Sequence, residues 1–340
     1  MRVGIVGTGA IARLHARVYA NIGFTVRAAY DISADAAAAF VREFGGEAVG
    51  SLEALCAHPE VDYVDVCTLP NVRLEVVELC ARHGKGVQVQ KPIAISLDVA
   101  RRMIETADAA GITLGVVSQH RFDVSSRFLK QAIRDGRLGR ILQCDAYVKW
   151  HRTTEYYARP GKGAWDVEGG GALINQAIHQ VDLLRWLIGP VADVAGYWQL
   201  GAAHAIESED VVNALLRFEN GATGVIQAST AFWPGYPERI EIHGTAGTAV
   251  VTGDRLTAWD VQGDHGPAPP LSTGVASGAS DPLAISLEPF ELQFRDFAAA
   301  LRARREPAVS GRDGLMALEL VDAIYRACRT GSRVVPGAES

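Results

Sequence analysis

The 340-residue sequence contains no run of five or more like charges, no cysteine pair in CxxC spacing and no apolar segment of membrane-spanning length. Each absence removes a class of function. Without a charge run, and with 33 Lys and Arg against 39 Asp and Glu for a formal charge of -6, the chain has no electrostatic footprint for nucleic acid or a membrane surface. Small solutes are the expected partners. The five cysteines, Cys56, Cys67, Cys80, Cys144 and Cys328, are odd in number, which argues against a disulfide framework or a zinc site and for buried thiols in a reducing compartment. No metal is expected. The opening "MRVGIVGTGA" enters a strand pattern directly, without a charged leader or a small-residue cleavage site, so a cytoplasmic protein is expected.

What is present describes an ordinary globular protein: 48% hydrophobic and 21% charged residues, in a length that suits two domains. Over the first 120 residues, short β-branched runs ("RVGIVG", "TVRAAYD", "VDYVDVCT", "GVQVQK", "ITLGVVS") alternate with amphipathic stretches. That rhythm predicts an α/β domain, a doubly wound parallel sheet with helices on both faces. From about residue 140 strand follows strand, and the turns "ENGA" and "GTAGT" predict hairpins in a mostly antiparallel sheet. The boundary is placed between 121 and 122, giving domains 1–121 and 122–340, with a C-terminal helix returning to the first domain. Residues 262–284 are rich in Gly, Pro, Ser and Ala and are expected to form a flexible connection, with an active-site cover as the lesser alternative.

"GIVGTGAIARLH" places Gly7, Gly9 and Ala12 in a GxGxxA pattern after a strand and at a helix start, with Ala10 and Ile11 in the first turn. Glycines there let the backbone approach a pyrophosphate, and the helix end offers unpaired N–H groups. Asp31 ends the next strand, where a carboxylate accepts ribose hydroxyls and repels a 2′-phosphate. NAD is therefore the expected cofactor. Thr68, Leu69, Pro70 and Asn71 follow the third strand, and Gln90, Lys91 and Pro92 follow the fourth, at the carboxyl ends where such sheets bind ligands.

The stretch "GGGALINQAIHQVDLLRWLIG" is an apolar helix carrying Asn175, His179 and Asp182 in a stripe about 60° wide if the helix is regular. Upstream, "YVKWHRTTEYYARPGKGAW" brings Arg152, Tyr156, Tyr157, Lys162 and Trp165, aromatic faces and cationic donors suited to a sugar ring or its anionic substituent. His120, in "SQHRF", and its neighbour Arg121 are further candidates at the cleft.

Together, "GIVGTGAIA", "VCTLPN", "VQKP" and the glycine-led helix resemble the glucose-fructose oxidoreductase, inositol dehydrogenase and MocA family over nearly the whole chain. The resemblance implies an N-terminal Rossmann domain and a C-terminal α/β domain with a large, mostly antiparallel open sheet that forms a homodimer or homotetramer interface. It implies reversible hydride transfer between nicotinamide and a sugar or cyclitol hydroxyl, with Lys91 and His179 as the catalytic pair. Two positions depart from the common pattern. Gln90 stands where the family has glutamate, and Asn175 where inositol dehydrogenases have a catalytic aspartate. The "NQxxH" form resembles a branch of nucleotide-sugar 3-dehydrogenases and related glycoside-oxidising enzymes. Leu74 occupies the neighbourhood of a histidine often found there.

Alcohol oxidation needs a base with a pKa near the working pH, which a histidine has and a desolvated lysine acquires. His179 is assigned the acid/base role, Lys91 that of donor and relay, Asp182 that of support or substrate contact, and Asn175 that of a non-titrating contact. The expected function is an NAD-dependent dehydrogenase of a sugar, glycoside, nucleotide-sugar or cyclitol. The alternatives are an NAD-dependent glycosidase working by transient C3 oxidation, and a non-catalytic NAD-binding regulator.

Overall fold

The computed structural model describes residues 1–271 and 286–338. Residues 272–284, part of the expected flexible connection, therefore lie outside the described residues. The chain forms two compact units, one of residues 1–119 with 287–315, the other of the described residues from 120 to 286 together with 316–338. No helix among the described residues is long and apolar enough to cross a membrane.

In the first unit the elements are β1 (Arg2–Val6), α1 (Ala10–Asn21), β2 (Thr25–Tyr30), α2 (Ala34–Phe44), β3 (Glu47–Ala48), α3 (Leu52–Cys56), β4 (Tyr63–Val66), α4 (Arg73–Arg82), β5 (Gly86–Val89), α5 (Leu97–Ala110) and β6 (Leu114–Val116). The sheet order is β3-β2-β1-β4-β5-β6, all parallel. Strands covered on both faces need continuous apolar runs, and Val3, Ile5, Val64, Val66, Val87 and Val89 are buried accordingly. Ser33, Ser51 and Ser96 start α2, α3 and α5 by accepting a backbone N–H three residues on.

The sequence boundary at 121 and 122 lies close to the first division, but the second unit is not one continuous stretch. Helix α10 (Glu288–Ala303) and the first residues of α11 (Gly311–Thr330) belong to the first unit. The reason is an apolar ridge: Phe290, Phe294 and Phe297 recur at helical spacing and are fully buried. Phe294 lies 4.8 Å, centroid to centroid, from both His15 and Tyr19, and Phe297 lies 5.1 Å from Tyr63. Each such ring contributes roughly 1.5–3 kcal/mol relative to exposure.

The second unit contains α6 (Val124–Arg134), β7 (Ile141–Lys149), the single turns α7 (Thr154–Tyr157) and α8 (Trp165–Glu168), α9 (Ile178–Ile188), β8 (Val191–Leu200), β9 (Glu209–Phe218), β10 (Thr223–Ser229), β11 (Arg239–Gly244), β12 (Gly247–Thr252) and β13 (Arg255–Val261). The sheet order is β13-β12-β11-β7-β10-β9-β8, antiparallel except where β7 and β10 run parallel. Along β9 the side chains alternate, Val212, Ala214, Leu216 and Phe218 buried and Asn213, Leu215 and Arg217 exposed. One sheet face is thus core, and the other carries Leu215 and Tyr197 at 64% and 81% exposure.

Candidate functional site

In the first unit, the carboxyl ends of β1, β4 and β5 carry the expected cofactor residues. Gly7 has φ +82°, and a Cβ there would lie 3.0–3.2 Å from Thr68 and the Cys67 backbone. Only glycine fits that turn. Gly9 has open space where a Cβ would be, it caps α1 without a side chain, and the first turn, with Ala10 and Ile11, has no acidic residue. Gly9 and Ala10 are exposed while Ala12 is buried beneath them. The helix end is therefore open and positive, which fits the pyrophosphate of a dinucleotide.

Asp31 is locked to the glycine turn. Its Oδ2 accepts from the Thr8 N–H at 2.8 Å and the Thr8 hydroxyl at 2.9 Å, and its Oδ1 accepts from the Ser33 N–H at 3.0 Å. A carboxylate has lone pairs to spare for ribose hydroxyls. Ile32 beside it is 96% exposed, an apolar surface next to the ribose acceptor that motif reading passed over.

Thr68, Leu69, Pro70 and Asn71 form the turn into α4, with Leu69 and Asn71 exposed and Pro70 buried. Gln90, Lys91 and Pro92 form the turn after β5, with a cis peptide bond between Lys91 and Pro92. Gln90 already has two partners within the protein. Its amide is buried and faces inward, Nε2 donating to His15 Nε2 at 2.8 Å while Oε1 accepts from the Lys91 N–H at 3.2 Å. His15 Nδ1 lies 2.7 Å from Asp65 Oδ2, so Nδ1 carries the proton and Nε2 accepts. With Nε2 as the acceptor, the Gln90 amide supplies the matching donor, which gives Gln90 a physical reason of its own.

The glycine-led helix of the second unit is not regular. Residues Ala172–Gln176 form a π-helical turn, closed by the Ala177 N–H donating to the Ala172 carbonyl at 3.0 Å, before α9 begins. The stripe calculated for an unbroken α-helix is corrected accordingly: the wider turn changes the angle between Asn175 and His179. Wide turns of this kind are frequent at functional sites. Asn175 and His179 are both half-buried in an otherwise buried segment, while Asp182 is buried.

Asp182 gives its two oxygens to one partner. Arg121 donates from Nε to Oδ2 at 2.8 Å and from Nη2 to Oδ1 at 2.5 Å. Asp182 and Arg121 therefore act as a bidentate anchor for α9. His120 lies against His179, ring centroids 5.0 Å apart at 82°, and its Nδ1 is 2.8 Å from Asp123 Oδ2. Burial opposes the charged His120 ring, but the Asp123 charge and hydrogen bond outweigh it and raise its pKa above the usual value.

Beneath the helix start, Glu209 accepts from the backbone N–H groups of Gly171 and Leu173 and from the Tyr325 hydroxyl, each at 2.8 Å. A Cβ on Gly171 would lie 2.0 Å from the Glu209 carbonyl oxygen, and one on Gly170 2.3 Å from the Tyr325 hydroxyl. The glycines let this segment rest directly on β9. Burial pushes the Glu209 carboxyl up to about 7, against the downward pull of its donors. Glu209 had no motif to announce it.

The upstream loop separates into two groups. Tyr156 is ringed by cations: Arg152, Arg159 and Lys162 lie 5.6, 5.5 and 5.1 Å from its ring centre. Its hydroxyl accepts from Gln176 Nε2 at 3.0 Å, which ties it to the π turn. Lys162 is ion-paired with Glu168. Tyr157 turns to Thr230, hydroxyl to hydroxyl at 2.7 Å, and packs on His204. Trp165 packs its ring with Trp198 and Tyr325, and its indole N–H donates to the Glu207 carbonyl at 3.2 Å.

Comparison with known proteins agrees with these observations. A family described as "Oxidoreductase family, NAD-binding Rossmann fold" matches residues 1–118, and the "GFO/IDH/MocA C-terminal domain" matches residues 126–250. The myo-inositol 2-dehydrogenase of Thermotoga maritima is 30% identical over 94% of each chain. The 1,5-anhydro-D-fructose reductase of Ensifer adhaerens is 29% identical over 97% of each. Among solved structures, the WlbA dehydrogenase from Bordetella pertussis in complex with NADH and UDP-GlcNAcA is 32% identical over 99% of each chain, with a TM-score of 0.87.

Proposed function

Since the chain belongs to the GFO/IDH/MocA family of NAD-binding oxidoreductases, we propose that it oxidises a secondary ring hydroxyl of a sugar derivative carrying an anionic group, a nucleotide-sugar in the first instance. The observation that carries this reading is the π turn and α9, where Asn175 and His179 are half-buried in an otherwise buried segment while Asp182, Arg121 and Glu209 fix the backbone behind them. Bound nicotinamide supplies the hydride acceptor. His179 takes the hydroxyl proton, and His120, held by Asp123, backs its ring. Lys91 hydrogen-bonds the reacting oxygen, and Asn175 contacts a neighbouring hydroxyl without titrating.

The cations around Tyr156 support the anionic substituent. Arg152, Arg159 and Lys162 converge on one ring, and Glu168 is the carboxylate bonded to Lys162. Guanidinium forks suit a carboxylate or phosphate. The solved relative that holds NADH and UDP-GlcNAcA is the precedent for that substrate class. The open sheet face with Tyr197 and Leu215 supports self-association through the second unit, as a dimer or tetramer.

A screen of purified protein with NAD and NADP tests the reading, using UDP-GlcNAcA, myo-inositol and aryl glycosides and following NADH and aglycone together. Stoichiometric NADH with the nucleotide-sugar is the expected result. Aglycone release without net NADH would replace it by the oxidative glycosidase, and NAD binding with no turnover of any substrate would favour a regulator.

A further inference from the structure

Arg73 opens α4 and is only 2% exposed, yet its hydrogen bonds go to backbone carbonyls. Nε donates to the Thr68 carbonyl at 3.1 Å and Nη2 to the same oxygen at 2.5 Å, while Nη1 donates to the carbonyls of Gln90 and Pro92. One guanidinium thus joins the turn after β4 to the turn after β5, and in the second it holds the residues immediately before and after Lys91. Burial lowers its pKa to about 9, with the Cys67 and Asp65 side chains pulling the other way, so it remains a cation at neutral pH. Burying such a charge is costly unless its hydrogen bonds are made, and the rigid guanidinium fork spreads its donors over acceptors on two separate turns.

We propose that Arg73 is a positioning residue for Lys91: by clamping the carbonyls of Gln90 and Pro92 it sets where the Lys91 ammonium is presented. The inference rests on the catalytic reading of Lys91 given above. The side chain of Gln90 is held independently by His15, so the Lys91 turn is fixed from the α1 side by His15 and from the α4 side by Arg73. Leu74, next in the chain, occupies the neighbourhood of the histidine that the family often has. The buried cation lies one residue before it.

The test compares Arg73→Lys and Arg73→Ala with Lys91→Ala, measuring kcat, KM for NAD and thermal unfolding in each full-length protein. Arg73→Lys keeps the charge and loses the fork. Displacing a catalytic group by about 1 Å can cost on the order of 10²-fold in rate, so both Arg73 variants are expected to lose about that in kcat with KM for NAD nearly unchanged. Millimolar guanidinium should restore turnover to Arg73→Ala and leave Lys91→Ala inactive. If Arg73→Ala does not fold, Arg73→Lys alone decides: a folded Arg73→Lys protein with wild-type kcat overturns the proposal. Loss of activity only in proportion to the unfolded fraction also overturns it, since that is the behaviour of a structural staple. Wild-type turnover in Lys91→Ala would instead sink the catalytic reading of Lys91 itself.

Discussion

His120 meets His179 edge to face at 5.0 Å while its own Nδ1 is held by Asp123. The second imidazole is thereby fixed by a carboxylate three residues away, on a turn whose next residue, Arg121, anchors Asp182 of the same helix. One short segment, residues 120–123, thus braces α9 at two points.

Asp123→Asn should remove the charge that raises His120. A histidine raised in the folded state stabilises fully below its unfolded pKa and loses that contribution as pH rises through the folded value. The variant should therefore be less stable than wild type below about pH 6.5, by roughly 1–3 kcal/mol for a charged hydrogen bond. The deficit should shrink at higher pH. Chemical denaturation at several pH values measures it, and a deficit that grows with pH would contradict the assignment.

Glu209 runs in the same pH direction as His120, although here burial favours the neutral form. Its carboxyl is raised to about 7 in the folded chain, so the favourable linkage is complete below the ordinary carboxylate pKa and lost as pH rises through 7. Relative to Glu209→Gln, the wild type should lose on the order of 3 kcal/mol between pH 4.5 and 7 and nothing further above 8. A pH-independent difference in unfolding free energy would show that the carboxylate is ionised throughout, held so by Gly171, Leu173 and Tyr325.

Arg121→Met leaves Asp182 buried without its bidentate partner. Breaking a buried pair from one side costs roughly 3–5 kcal/mol. Arg121→Met with Asp182→Leu should recover part of that loss, so the double variant should unfold above the single one. A single variant as stable as wild type would mean that the pair is not what anchors α9.

Asp31→Asn tests the cofactor end of the first unit. The carboxylate that accepts from Thr8 and Ser33 would lose its charge. NAD affinity should fall by about tenfold, near 1.4 kcal/mol, and discrimination against NADP should narrow because the repulsion of a 2′-phosphate is gone. Titration of both cofactors by fluorescence gives the ratio; an unchanged ratio would place discrimination elsewhere.

Much of this arrangement was legible in the residues, for identifiable reasons. Strands β1, β2, β4, β5 and β6 announce themselves because buried parallel strands need continuous β-branched runs, whereas β3 is two residues long and has no room for a pattern. Gly7 and Gly9 were visible because they form a motif directly after a strand, Gly7 for its left-handed turn and Gly9 for an open helix end. The π turn was not, since an inserted wide turn leaves the apolar spacing of "ALINQAIHQVDLL" nearly intact. Arg73 and Glu209 escaped, as did the pairing of Arg121 with Asp182, for a common reason. Each acts through a partner distant in sequence or through backbone groups, and neither contact leaves a periodic signal. Asp182 and Trp165 were named from the sequence, but their partners in the fold, Arg121 for the one and Trp198 and Tyr325 for the other, leave no mark in the local pattern.

The central claim is that His179 exchanges the proton of the reacting hydroxyl. The measurement that tests it most directly is NADH formation by purified His179→Ala on the sugar derivative that the wild type oxidises, with NAD binding titrated in the same preparation. Loss of a general base predicts a fall of about 10²–10⁴-fold in turnover with cofactor affinity unchanged. Turnover within about twofold of wild type, a difference of under 0.5 kcal/mol in barrier, would contradict the account.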